Sequence, residues 1–289
     1  MKLDDYQRES AATDLGGDSD DPIVPLLGLA GEVGSLLAEF KKKQRPDGHA
    51  YTGFEDVVAT ELGDILWYLA ALARRVGVPL SRAAETNLLK TRARWLSEAG
   101  APPVEFDEGF PNDQRLPRQF EVAFSSYENE DGRTKVRMHI SGEEIGDPID
   151  DNARYPDHYR FHDVFHIAHA AVLGWSPIFR SLIGRKRKVD ETTDRVEDGA
   201  RAAATEEAVA ALVFELSKPY DYFAGSERVD DSILNTVAVV TARLEVSARS
   251  TGDWERAILS GFAAWRGLRE AGGGTIAVDL DRGTLELVG

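Results

Sequence analysis

The hydrophobic pattern of this chain changes period near residue 119, and that change constrains what the chain can fold into. Apolar residues fall three and four apart through Leu26, Leu29, Val33, Leu36, Leu37 and Phe40, and again through Val57, Val58, Leu62, Ile65, Leu66, Leu69 and Leu72. That spacing lines one face of an α-helix. Pro46, Asp47 and Gly48 separate the two stretches, Gly77-Val78-Pro79 ends the second, and Ser81 is placed to cap a third helix running to Trp95. From Gln119 the pattern switches to alternation, and it does so again near the end of the chain. Residues 119–127 and 135–140 flank the turn residues Asn129–Gly132, and residues 275–278 and 284–288 flank Asp281-Arg282-Gly283. Each pair reads as a β-hairpin. The expected fold is therefore mainly α, in two parts. An all-α helical bundle spans residues 1–98, a linker rich in proline and acid spans 99–118, and an α+β domain spans 119–289. In that domain the two hairpins bracket a helical middle and combine into one small antiparallel sheet. The wide apolar faces of the bundle helices imply a homodimer or a higher homo-oligomer.

Composition narrows the function. A formal net charge of −16 argues against general nucleic-acid binding, because a polyanion is repelled unless a local basic patch intervenes. The absence of cysteine excludes disulfides, thiolate metal sites and cysteine nucleophiles. The N-terminus carries no apolar signal stretch, and no run approaches the roughly 18 apolar residues of a membrane span. A cytoplasmic protein without a membrane partner is expected.

Acidic residues interrupt the apolar helices in a regular way. Glu32, Ser35 and Glu39 share one face of the first long helix, and Glu61 and Asp64 share one face of the next. Facing carboxylates repel and resist desolvation, a conflict that a divalent cation removes. Hard carboxylate oxygens suit Mg²⁺ or Mn²⁺ better than zinc. Gly31, Gly34 and Gly63 are expected to let the two helix backbones approach closely.

From Tyr6-Gln7 through Gly31-Glu32, Glu61-x-x-Asp64 and Arg94-Trp95, the first hundred residues resemble the MazG-type all-α nucleoside triphosphate pyrophosphohydrolases. The family signature is Glu-x-x-Glu followed by Glu-x-x-Asp, and Glu32, Glu61 and Asp64 match it, whereas Ser35 stands at the second glutamate position. The resemblance implies that Glu32, Glu61 and Asp64 bind Mg²⁺ and carry catalysis; Glu39, outside the motif but one turn further on the same helix face, is a candidate additional ligand. It also implies a nucleoside triphosphate substrate, cut between its α- and β-phosphates into a monophosphate and pyrophosphate. Asn87, Lys90 and Arg94 are candidate contacts to phosphate or sugar. The alternative is a nucleotide-binding or sensing protein with a weakened site. Its C-terminal domain would then supply a separate metal-dependent hydrolase or effector role.

Four of the six histidines fall at His158, His162, His166 and His169. On one helix they would lie within an arc of roughly 80°. His162-Asp163-Val164-Phe165-His166 has two histidines one turn apart with an acid beside the first, a spacing that can chelate a metal. His162, His166, His169 and Glu206, with Glu207 as the alternative acid, are candidates for a second divalent metal site or for a buried polar network. The basic run Gly184-Arg-Lys-Arg-Lys188 reads as a solvated loop or a phosphate contact. The second domain is similar to the C-terminal extension of some MazG-like proteins.

Overall fold

A computed structural model describes residues 1–15, 21–95 (side chains as far as residue 92) and 105–288. The chain is mainly helical and divides into two compact units, 1–92 and 93–289.

The first unit contains helices α1 (Leu3–Glu9), α2 (Ile23–Lys43), α3 (Phe54–Arg75) and α4 (Leu80–Trp95). Helices α2 and α3 pack side by side. Their close approach is at Gly28, where an added Cβ would stand 2.1 Å from the Tyr68 ring. Gly31, Gly34 and Gly63 face open space, so the expected role of these three is corrected. Beyond α1, Asp14 accepts hydrogen bonds from Arg74 at 3.0 Å and from Arg75 at 2.7 and 3.0 Å, fastening the N-terminal segment to the end of α3. Ser81 is not the cap of α4, which begins one residue earlier. Instead, Asp4 accepts from the Ser81 amide at 2.9 Å and from its hydroxyl at 2.7 Å. Gln7 Oε1 accepts from the Leu80 amide at 2.8 Å. Donors left unpaired by a helix start thus find acceptors on α1, and the Ser81 bonds hold the Asp4 carboxyl below its ordinary pKa.

Few side chains of this unit are buried. Ala70, Ala71 and Ala73 form its buried apolar core, while Ile23, Val24, Leu26, Leu27, Val33, Leu37, Phe40 and Leu62 are exposed. By length and composition α2 is long and apolar enough to cross a membrane. A count of strictly consecutive apolar residues misses this, because glycine, alanine and serine carry the low-charge stretch onward.

The second unit is built on a five-stranded antiparallel sheet of β1 (Gln119–Glu128), β2 (Thr134–Ile140), β3 (Glu143–Ile149), β4 (Gly273–Asp279) and β5 (Thr284–Val288). Its order is β3-β2-β1-β4-β5, so the two expected hairpins join through β1 and β4. Strand β3 is an addition to the expected fold. Its sequence Glu-Glu-Ile-Gly-Asp-Pro-Ile lacks the alternation of a half-buried strand, and it sits at the sheet edge, where proline is tolerated. Between the hairpins run α5 (Asp163–Ala168), α6 (Pro177–Leu182), α7 (Glu191–Val196), α8 (Ala200–Ser217), α9 (Asp231–Thr241) and α10 (Thr251–Ala271). Val122, Phe124, Val136, Met138, Ile276 and Val278 of the sheet share one core with Phe161, Phe165, Phe214, Phe262 and Trp265 of the helical layer.

Residues 105–118, expected as linker, pack into this unit. Leu116 belongs to the core, and the buried Asp107 accepts from the Leu116 amide at 2.9 Å and from Arg180. The rest of that expected linker, residues 99–104, lies outside the described residues.

Gly273 has φ +145°, and a Cβ there would lie 2.6 Å from the Phe124 carbonyl oxygen across the central strand pair. Gly273→Ala is expected to destabilise this unit by about 1–3 kcal/mol, measured by urea unfolding followed by circular dichroism.

Candidate functional site

The carboxylates of the first unit are not gathered into one cluster. Glu32 and Glu61 are half-buried, and Ser35 and Asp64 are exposed. Among the described residues, no three of the acids Glu32, Glu39, Glu61 and Asp64 bring ligand oxygens within 4.8 Å of one another. Glu39 is buried but already engaged, accepting from Lys42 and from the Tyr51 hydroxyl, and these bonds hold its carboxyl below the ordinary range. Glu61 differs, because its Oε2 is buried and has no hydrogen-bond partner. Asn87 and Lys90 are exposed on α4, and the Arg94 side chain lies outside the described residues.

Three histidines of the second unit, His162, His166 and His169, converge. Helix α5 is six residues long and widens into a π-helical turn at His169–Leu173, a rare geometry that recurs at functional sites. It is pressed onto α10 at Gly261, where an added Cβ would stand 3.1 Å from Ala168 Cβ. Facing it, α8 buries Ala202, Val209, Ala210, Val213 and Phe214, an apolar stripe that turns Glu206 inward and leaves Glu207 at the margin.

Glu206 and His166 are wholly buried, and His169 is nearly so. Glu206 Oε1 lies 3.0 Å from His169 Nδ1 and 3.1 Å from His166 Nδ1, and Oε2 accepts from the Ile178 amide at 3.0 Å. On the other side of its ring, His166 Nε2 meets Glu207 Oε2 at 3.0 Å. His162 Nε2 is 3.5 Å from Glu207 Oε1 and 4.0 Å from Asp163 Oδ1. The His162 ring is stacked on Tyr159, with centroids 4.3 Å apart. Two overlapping groups thus have ligand atoms within 4.8 Å of one another: His162, His166 and Glu207, and His166, His169 and Glu206.

The electrostatics follow from this crowding. Burial drives the His166 ring toward neutrality, but Glu206 and Glu207 outweigh it and raise its pKa to about 10. Burial likewise opposes the Glu206 anion, and the neighbouring His166 and His169 lower its pKa to about 2 nonetheless. Burial dominates at His162 and lowers its pKa despite the nearby Asp163. The hydrogen bond from His166 lowers that of Glu207.

His158 does not join the other three. The chain is not helical there: His158 takes φ +65°, its Nδ1 meets Arg160 at 2.8 Å, and its carbonyl accepts from Trp265 Nε1 at 3.0 Å. The shared arc is thereby corrected. Tyr159 and the Ile178 amide also touch the site, and neither carries a sequence signal, since both are brought there by the tertiary fold.

The basic run is not a simple solvated tip either. Arg187 is wholly buried, 2.7 Å from Asp198 Oδ1 and 2.6 Å from Glu245 Oε1. Removing one partner of a buried pair strands the other charge, so Arg187→Met is expected to destabilise the chain by about 3–5 kcal/mol, read from denaturant unfolding.

The family described as the MazG C-terminal domain matches residues 101–289. The chain belongs to that family. It is also similar to the Gene 37 protein of Mycobacterium phage L5, 36% identical over 101 residues, a match covering 32% of this chain and 89% of the phage protein. No solved structure matches the chain.

Proposed function

We propose that this protein is a Mg²⁺- or Mn²⁺-dependent nucleoside triphosphate pyrophosphohydrolase whose N-terminal unit carries the reaction. The observation that carries this reading is Glu61 Oε2, a carboxylate oxygen buried without a hydrogen-bond partner on the helix packed against that of Glu32. A carboxylate oxygen buried without a donor calls for a positive charge. The all-oxygen donor set of Glu32, Glu61 and Asp64 suits a hard cation in its chemistry, and these three residues would hold it once their side chains, which do not form one cluster in this structure, converge on it. A bound divalent ion there supplies neutralisation of phosphate charge and activation of water. In the reaction, water oxygen attacks the α-phosphorus, the bridging P–O bond to the β-phosphate breaks, and the monophosphate and pyrophosphate separate. Lys90 supplies a cationic donor to phosphate, and Asn87 a neutral one to phosphate or sugar.

The exposed apolar residues of α2 and α3 support assembly of this unit with further copies of the chain, since a patch of that extent is unusual on a monomer. Ser35 at a ligand position, together with the engagement of Glu39 by Lys42 and Tyr51, favours a second reading in which the site binds nucleotide and turns it over feebly.

Incubation of the purified chain with a panel of canonical and modified nucleoside triphosphates and Mg²⁺ tests both. Monophosphate plus pyrophosphate, abolished by Glu61→Gln or Asp64→Asn with the fold intact, is the expected result. Intact triphosphates with measurable binding would instead select the sensing reading. Ser35→Glu is expected to lower the Mg²⁺ concentration needed for half-maximal activity, and an unchanged Mg²⁺ titration would place Ser35 away from the ion.

A further inference from the structure

We propose that the C-terminal unit holds its own metal centre, in which His162 Nε2, His166 Nε2 and the Glu207 carboxylate bind a borderline transition ion of the Zn²⁺ class. The protonation of His162 is fixed by its surroundings. Its Nδ1 lies 3.0 Å from the Tyr159 carbonyl, which can only accept, so Nδ1 carries the hydrogen. In the neutral ring Nε2 then presents a lone pair, and it does so 3.5 Å from a carboxylate oxygen. Two electron-rich groups set face to face are stable with a cation between them. A backbone carbonyl behind the far nitrogen is also the usual support of a metal-binding imidazole.

His166 is held in the matching way. Its Nδ1 is buried, has no well-aligned hydrogen-bond partner and lies 3.1 Å from Glu206 Oε1, so a carboxylate backs the ring while Nε2 points to Glu207. Glu206 is fixed in turn by His169 and the Ile178 amide. Its own oxygens are therefore occupied, which makes the His169–Glu206 pair the support and His162–His166–Glu207 the site.

Distance and chemistry agree. Ligands about 2.0–2.1 Å from a tetrahedral ion stand about 3.3 Å apart, and the contacts to Glu207 are 3.0 and 3.5 Å. Two imidazoles and one carboxylate select Zn²⁺-class ions over Mg²⁺, in contrast to the all-oxygen set of the first unit. The Glu207 side chain is 45% exposed, so an ion can enter and keep a position open to solvent.

The test strips the 289-residue chain with chelator, dialyses it against micromolar Zn²⁺ and measures bound metal by mass spectrometry. In parallel, Co²⁺ is added as a visible-spectrum probe of imidazole ligation. One equivalent of zinc per chain is expected, unchanged in the Glu61→Gln/Asp64→Asn variant and lost in His162→Ala and in Glu207→Gln. Near-ultraviolet circular dichroism of the near-isosteric Glu207→Gln variant, matching the parent, separates loss of the site from loss of the fold. A parent chain that binds no zinc and gives no cobalt spectrum would overturn the proposal and leave a metal-free ion-pair network. Retention of zinc by both His162→Ala and Glu207→Gln would overturn it equally. Because the Glu61→Gln/Asp64→Asn variant leaves this centre intact, its failure and that of the N-terminal pyrophosphohydrolase reading are told apart.

Discussion

The Glu206 carboxylate is the constraint on which the second unit turns. It sits on a helix with no solvent access, and an unpaired charge in that position would cost several kcal/mol. Its compensation comes from three places in the chain: the rings of His166 and His169, and the backbone amide of Ile178 at the start of α6. None of these donors is near Glu206 in sequence. The π-helical turn, the short helix after it and α8 must therefore close together, since any one arriving alone would bury a polar group without a partner. Site and core are one construction here.

The two units differ in the chemistry their side chains offer. In the first, acids are distributed along paired helices, one oxygen is orphaned, and the donors are hard. In the second, nitrogen donors dominate and are braced from behind by a carboxylate and a carbonyl. Charge is managed differently as well. Arg187, Asp198 and Glu245 neutralise one another inside the second unit, whereas in the first Asp14 pairs with Arg74 and Arg75 and Glu39 with Lys42.

Local periodicity carried much of this into view. Alternation located both hairpins, the three-and-four spacing located α2 and α3, and the His162–His166–His169 spacing located the histidine cluster together with the acids of α8. What stayed hidden depends on partners distant in sequence. Strand β3 is acidic and holds Gly146 and Pro148, so edge pairing rather than pattern makes it a strand. Arg187 looks solvated inside a basic run because its two acids lie 11 and 58 residues away. Gly28, rather than the glycines beside the acidic motif, marks the helix contact, because only the tertiary fold reveals that Tyr68 stands opposite. His158 leaves its neighbours through a single left-handed residue, which a helical projection has no means to register.

The unequal depth of the two cores has a thermodynamic consequence. One unit closes over a dense cluster of phenylalanine and tryptophan, while among its described residues the other buries three alanines and leaves Leu26, Leu27, Leu37 and Leu62 exposed. Stability in such a chain is two quantities rather than one, and a single midpoint describes neither. The proposed self-association would make dilution act on them unequally: it would lend free energy to the thin unit in proportion to the logarithm of protein concentration and leave the thick one unmoved.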